Sequence, residues 1–193
     1  MKLAMVELGC GNTGSVGMAL DRLGVVAELT SDPSVIAGAD KVLLPGVGAA
    51  GYAMEQMQAR GLTEVLRGLS QPALGICLGM QLLFERSEED GVDCLGIMTG
   101  AVRKMEPAPG RPVPHMGWSK LTVMDSTMGI EDGDYVYFAH SFACDDGPQT
   151  AVKAEYCGTI PAVVRKGNWT GAQFHPERSG KVGARFLETW LKS

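Results

Sequence analysis

The sequence predicts an α/β protein whose central sheet is mostly parallel, flanked by helices, with a β-rich C-terminal half. Three observations lead there. In the N-terminal half, short all-apolar runs alternate with patterns of helical period, which suits parallel strands covered on both faces. After about Cys94, strand-like runs separated by Pro, Gly and Asp turns take over. A chain of 193 residues, 45% hydrophobic and 20% charged, has room for one full core and not for two, so residues 1–193 are expected to form a single domain.

Lys2 to Leu8 reads as a buried strand, and Gly9-Cys10-Gly11-Asn12 turns into a helix on which Val16, Ala19, Leu20 and Leu23 recur at helical spacing. Val25 to Leu29 and Lys41 to Leu44 are short apolar runs that end at turn residues, and Ala53 to Leu69 holds two helical patterns hinged at Gly61. Ala73 to Ile76 is a further strand, followed at once by a helix over Gly79 to Arg86. Strands are then expected at Val102 to Lys104, Leu121 to Met124, Tyr135 to Ala139, Ala151 to Tyr156, Ala162 to Arg165 and Asn168 to Phe174. A last helix, Lys181 to Leu191, sets Val182, Phe186, Leu187 and Trp190 on one face.

The charge balance narrows the function. Lys and Arg number 17 against 22 Asp and Glu, so a net charge of −5 offers no basic field for a phosphate backbone. The five cysteines (Cys10, Cys77, Cys94, Cys144 and Cys157) are odd in number and lack the close pairing of a zinc site, which fits a reducing compartment. Met1 to Leu8 is too short, and broken by Glu7, for a secretory or membrane-spanning run, so a cytoplasmic protein is expected.

Chemistry concentrates at Gly75-Ile76-Cys77-Leu78-Gly79. Glycines flanking a strand-to-helix junction permit a sharp, strained turn that lifts the central side chain off the sheet edge, and a thiol there is a nucleophile candidate. The helix N-terminus favours the thiolate, and the Leu78 N–H points where an oxyanion would develop. A base must come from His115, His140 or His175. His175 stands out, because Pro176 biases it to an extended conformation in which Glu177, two residues on, lies on the same side and can orient the imidazole. Pro45-Gly46-Val47-Gly48 follows another strand on the same sheet edge, where open α/β folds bind ligands.

Competing features have plainer readings. Gly9, Gly11 and Gly14, with Glu28 downstream, imitate a dinucleotide fingerprint, but Glu28 falls inside its strand rather than at the tip. His140 suits a place by the substrate or a structural hydrogen bond equally. Tyr52, Met54 and Met57 at helical spacing read as core packing. In Val113 to Trp118, Pro114, Met116 and Trp118 lie among few charges, as in an interface core.

Leu74-Gly75-Ile76-Cys77-Leu78-Gly79-Met80-Gln81, with Gln173-Phe174-His175-Pro176-Glu177 downstream, resembles the class I (triad) glutamine amidotransferases, whose domain has a flavodoxin-like fold. Within that class, Gly11-Asn12, Ser15-Val16, Pro45 to Gly48, Pro114 to Trp118 and Tyr137 to Ser141 resemble the glutaminase subunits of imidazole glycerol phosphate synthases, and the resemblance runs over nearly the whole chain. It implies that Cys77 attacks the glutamine amide, His175 relays the proton to ammonia and Glu177 orients His175. It further implies an oxyanion hole at Gly46, Val47 and Leu78, and contacts to the substrate's amino-acid end from Gln81, Glu89, Ser141 and Phe142. Asn12, Pro114, Met116 and Trp118 would face a (β/α)8-barrel synthase in a heterodimer of histidine biosynthesis. Neither cofactor nor metal is implied. Ser119, where asparagine is expected, and the lead Glu7-Leu8-Gly9-Cys10 depart from the pattern near that interface. A glutaminase of another synthase, or a cysteine hydrolase on a similar sheet, is the alternative.

Overall fold

The computed structural model describes residues 1–9, 11–125 and 128–193; Cys10 lies outside them, and with it the end of the Glu7 to Cys10 lead. In chain order the elements begin with β1 (Leu3–Val6), α1 (Thr13–Arg22), β2 (Ala27–Thr30), α2 (Pro33–Ala37), β3 (Lys41–Leu44), α3 (Ala50–Ala59), α4 (Leu62–Arg67), β4 (Ala73–Ile76) and α5 (Leu78–Gln81). They continue with β5 (Arg86–Ser87), β6 (Val92–Asp93), β7 (Ala101–Lys104), β8 (His115–Val123), β9 (Tyr135–His140), β10 (Phe142–Cys144), β11 (Thr150–Glu155), β12 (Thr159–Lys166), β13 (Trp169–Ala172) and α6 (Gly180–Lys192).

Nine strands make one mixed sheet in the order β2-β1-β3-β4-β13-β12-β11-β8-β9. Pairing is parallel from β2 through β13, with helices supplying the crossovers between the strands from β1 to β4. It is antiparallel from β13 to β9, joined by turns and loops. The β-rich half therefore prolongs the same sheet. Strands β10, β7, β5 and β6 form a second, smaller sheet beside it.

The unbroken apolar strands are explained by burial on both faces. Leu3, Met5, Leu43, Leu74 and Ile76 pack with Val16 and Leu20 of α1 and with Phe186, Leu187 and Trp190 of α6. Their neighbours Ala4, Val6, Val42, Leu44 and Ala73 face Ile36, Met57, Leu62 and Leu66 of α2, α3 and α4. The hinge at Gly61 is real: its φ of 68° is a left-handed conformation in which glycine pays no Cβ penalty.

Three expectations change. The helix after Cys77 ends at Gln81, four residues on, because the chain turns there to pair Arg86–Ser87 with β6 and β7. Strand β8 begins at His115 rather than Leu121; its outward residues Met116 and Trp118 are apolar and hide the alternation. Tyr52 is 45% exposed and outside the core, while Met57 is buried as expected. Among the described residues no helix is long and apolar enough to cross a membrane.

Helix α5 packs on the end of β3 so closely that a Cβ on Gly79 would lie 1.9 Å from the Leu44 carbonyl oxygen. Gly79→Ala is expected to lower the free energy of unfolding by about 3 kcal/mol. Urea denaturation measures it, and a loss below about 0.5 kcal/mol, the range of neutral surface changes, would refute this packing constraint.

Candidate active site

Strands β4 and β13 are parallel neighbours with Ile76 opposite Ala172, so the residues that follow them emerge at the same sheet edge. Cys77 follows β4 and Gln173 to His175 follow β13. Two segments remote in sequence meet for that reason alone.

Cys77 has φ 53° and ψ −111°, a strained conformation for a non-glycine residue, and its N–H donates to the Ala172 carbonyl at 2.7 Å. The strain is sustained by backbone packing. A Cβ on Gly75 would lie 2.5 Å from the Gly79 oxygen, and one on Gly46 2.7 Å from the Gly79 nitrogen. The elbow read from the glycine bracket is therefore present.

His175 is fixed through its main chain. Its N–H donates to the Tyr137 carbonyl at 2.9 Å, its carbonyl accepts from the Ser179 hydroxyl at 2.7 Å, and the Tyr137 N–H donates to that same hydroxyl at 3.0 Å. The ring Nδ1 meets Glu177 Oε1 at 2.9 Å, and the imidazole is also hydrogen-bonded to Cys77. Burial alone would lower the imidazole pKa, but the hydrogen bonds and charges of Cys77 and Glu177 outweigh it and raise it to about 10. A proton held on His175 beside a sulfur is what a thiolate nucleophile with a general acid requires.

Glu177 has a side chain only 1% exposed. Its Oε1 also receives the Asn12 Nδ2 at 3.4 Å, so Asn12 reaches the carboxylate that holds the His175 ring. Helix α6 holds this turn from behind, since Gly183 leaves no room for a Cβ against the Pro176 carbonyl.

In front of Cys77 lies a cavity of about 300 Å³ lined by Val47, Leu78, Gln81, Glu89, Ser141 and Phe142, together with Pro114, Met116 and His140. All four residues expected around glutamine meet there. The crowd of carboxylates near Glu89 is resolved by their partners: Glu85 accepts from the Gly100 N–H, Glu88 from the Lys104 N–H and Asp90 from the Gly51 N–H. Glu89 accepts from the Ala50 N–H at 3.0 Å and faces the cavity, where burial raises its pKa above the usual carboxylate value.

The expected oxyanion donor is engaged. The Leu78 N–H donates to the Gly46 carbonyl at 3.3 Å, so that peptide presents its oxygen, not the Val47 N–H, to the elbow. Of the residues expected at an interface, Pro114 and Met116 rim the cavity, Met116 at 65% exposure, while Trp118 at 54% lies outside it. Among the described residues, no group of three or more His, Cys, Asp or Glu is arranged to hold a metal ion.

Two residues that the sequence named but did not place at the site lie beside it. Gln173 is fully buried and turns its amide toward the sulfur of Cys77, and His115 meets His140 edge-on, with His115 Nδ1 3.1 Å from His140 Nε2. Gln173 precedes His175 by two positions on an extended chain, the same spacing that linked His175 to Glu177 and a usable signal. Nothing local in the sequence marks His115.

The glutamine amidotransferase class-I family model matches residues 16–192. The chain belongs to the class I glutamine amidotransferases. Among its relatives is the imidazole glycerol phosphate synthase subunit HisH of Xanthomonas axonopodis pv. citri (strain 306), 49% identical over 193 residues, covering 98% of this chain and 96% of the relative. The subunit of the same name from Vibrio vulnificus (strain CMCP6) is 42% identical over 200 residues, covering 99% and 98%. A crystal structure of a glutamine amidotransferase superposes with a TM-score of 0.75 at 22% identity, covering 98% of this chain and 97% of that one, and so shares the amidotransferase fold.

His115 and His140, 1% and 6% exposed, are driven by burial from 6.5 to about 4. Between those values the unfolded chain binds protons that the folded chain does not, so stability falls as pH drops from about 6.5 to about 4. The slope is at most about 1.4 kcal/mol per pH unit per histidine. Urea unfolding from pH 7 to 4.5 should show it, and should show less of it in His115→Phe; equal pH slopes for the two chains would contradict the burial of a neutral ring.

Proposed function

We propose that this amidotransferase is the glutaminase subunit of an imidazole glycerol phosphate synthase, acting as one domain in the cytoplasm. The observation that carries the reading is the strained Cys77 elbow, with the His175–Glu177 pair beside it, opening on the Gln81–Glu89–Ser141–Phe142 cavity. The HisH relatives, matched over almost their full length, support the choice of synthase.

The Cys77 thiolate attacks the side-chain carbonyl carbon of glutamine, and the oxygen takes up the negative charge. His175 gives its proton to the nitrogen, the C–N bond breaks, and ammonia leaves a γ-glutamyl thioester. His175, now neutral, takes a proton from water, whose oxygen displaces the sulfur and yields glutamate. Glu177 holds Nδ1 throughout and stabilises the imidazolium. Gln81, Glu89, Ser141 and Phe142 hold the amino-acid end of the substrate.

Ammonia is mostly protonated in neutral water and then has no lone pair to give, so it needs a shielded exit. Pro114 and Met116 join the cavity to an exposed apolar face that continues to Trp118. That face suits the docking of a (β/α)8-barrel synthase in a heterodimer.

Cys77→Ala should abolish glutamine hydrolysis while the reconstituted complex still forms product from ammonium salts. Survival of both activities would remove Cys77 from its role. A second outcome follows from the Gly46 carbonyl: the Gly46–Val47 peptide must rotate before Val47 and Leu78 N–H groups can bind an oxyanion. The chain alone should therefore turn over glutamine about 100- to 1000-fold more slowly than with the synthase and its nucleotide. Equal rates in the coupled assay would rule this out.

A further inference from the structure

A run of hydrogen bonds joins β8 to the sulfur of Cys77, and one acceptor determines the sense of every link. The Phe142 carbonyl can only accept. His140 Nδ1 lies 2.8 Å from it, so that nitrogen carries the proton, and Nε2 of the neutral ring accepts. His115 Nδ1, 3.1 Å from that Nε2, must then donate, which leaves His115 Nε2 to accept from the Ser119 hydroxyl at 2.9 Å.

From the same carbonyl the run continues to the nucleophile. Gln81 Nε2 donates to Phe142 at 2.8 Å and to Gln173 Oε1 at 3.0 Å, which commits both of its hydrogens. Gln173 is thereby obliged to turn its own Nε2 to Cys77 Sγ, at 3.8 Å.

The pair at the centre is built to stay neutral. His115 is clamped between the rings of Tyr156 and Phe138, with centroids 3.8 and 4.7 Å away, and burial holds both imidazoles to about 4. The positive groups that His140 senses are His115 and His175, and each opposes its protonation. Neither ring faces a carboxylate partner in this run.

We propose that Gln173 is a further catalytic residue, an N–H donor to the sulfur of Cys77, and that the Phe142 carbonyl positions it, ordering the neutral His115–His140 pair on one side and, through Gln81, deciding on the other which end of the Gln173 amide faces the sulfur. Reversed, the amide would set a carbonyl oxygen, which cannot donate, against the sulfur; as found, it offers an N–H donor that a thiolate can accept. The same polarity leaves Gln81 Oε1 as the uncommitted atom of that amide in the cavity, an acceptor for a ligand's ammonium. That last role rests on the function proposed above, whereas the hydrogen-bond sense does not.

The test uses the full chain and no glutamine, so its failure is separable from failure of the glutaminase reading. With 15N-labelled histidine at pH 7, His115 and His140 should each appear as the neutral Nδ1–H tautomer; Nε2–H or a charged ring at either position would overturn the proposal. Ser119→Asp puts an acceptor where a donor stood, so His115 must switch tautomer or gain a second proton, and an unchanged His115 spectrum would also overturn it. The sulfur end is read by alkylation of Cys77 with iodoacetamide against pH, followed by mass spectrometry of the Cys77 peptide. Gln173→Leu removes the donor and should slow the alkylation at pH 7 about tenfold, and Gln173→Glu should slow it further. Wild-type profiles in both variants would refute the contact.

Discussion

Much of this molecule depends on one tight approach of backbone to backbone. The end of β3, the end of β4 and the first turn of α5 meet at Gly46, Gly75 and Gly79, where a Cβ would stand 2.8 Å or less from main-chain atoms. That packing keeps Cys77 at a positive φ, because relaxing the turn would mean separating three elements whose other faces are buried in the core. The Cys77 side chain is thus presented to the cavity by a rigid scaffold and not by a mobile loop.

Around the elbow, polar groups are buried in opposite electrostatic settings a few ångströms apart. His175 has a sulfur and a carboxylate as partners and is driven toward the charged form. His115 and His140 have a hydroxyl, a carbonyl and each other, and are driven toward the neutral form. One fold therefore holds an imidazole driven toward its charged form beside the sulfur of Cys77 and a neutral pair of imidazoles a few residues away. Satisfying so many buried polar groups also specifies one arrangement of the β8–β9 face, since few alternatives would leave none unpaired.

Legibility followed the range of the forces involved. The parallel half could be read because each strand is buried on both faces and appears as a continuous apolar run, as in Lys41–Leu44 and Ala73–Ile76. The elbow and the His175–Glu177 pair could be read because glycine freedom and the extended period of two are local rules. The extent of β8 could not, since Met116 and Trp118 are apolar on the outward face and so break the alternation by which a half-buried strand is recognised. Nor could the partners of Asn12 and Gln173, which are set by how β1 and β13 are placed in the sheet.

The amino-acid sequence by itself determined which residue types are available for chemistry: a thiol on a glycine-bracketed turn and an imidazole two positions from a carboxylate. Tertiary structure alone decided that β13 lies beside β4, that the Gly46 carbonyl occupies the Leu78 N–H, and that two histidines from β8 and β9 share one proton line. Local propensity acts over a few residues of chain, whereas hydrogen-bond sense, desolvation and orphaned donors depend on what the folded molecule places within about 3 Å.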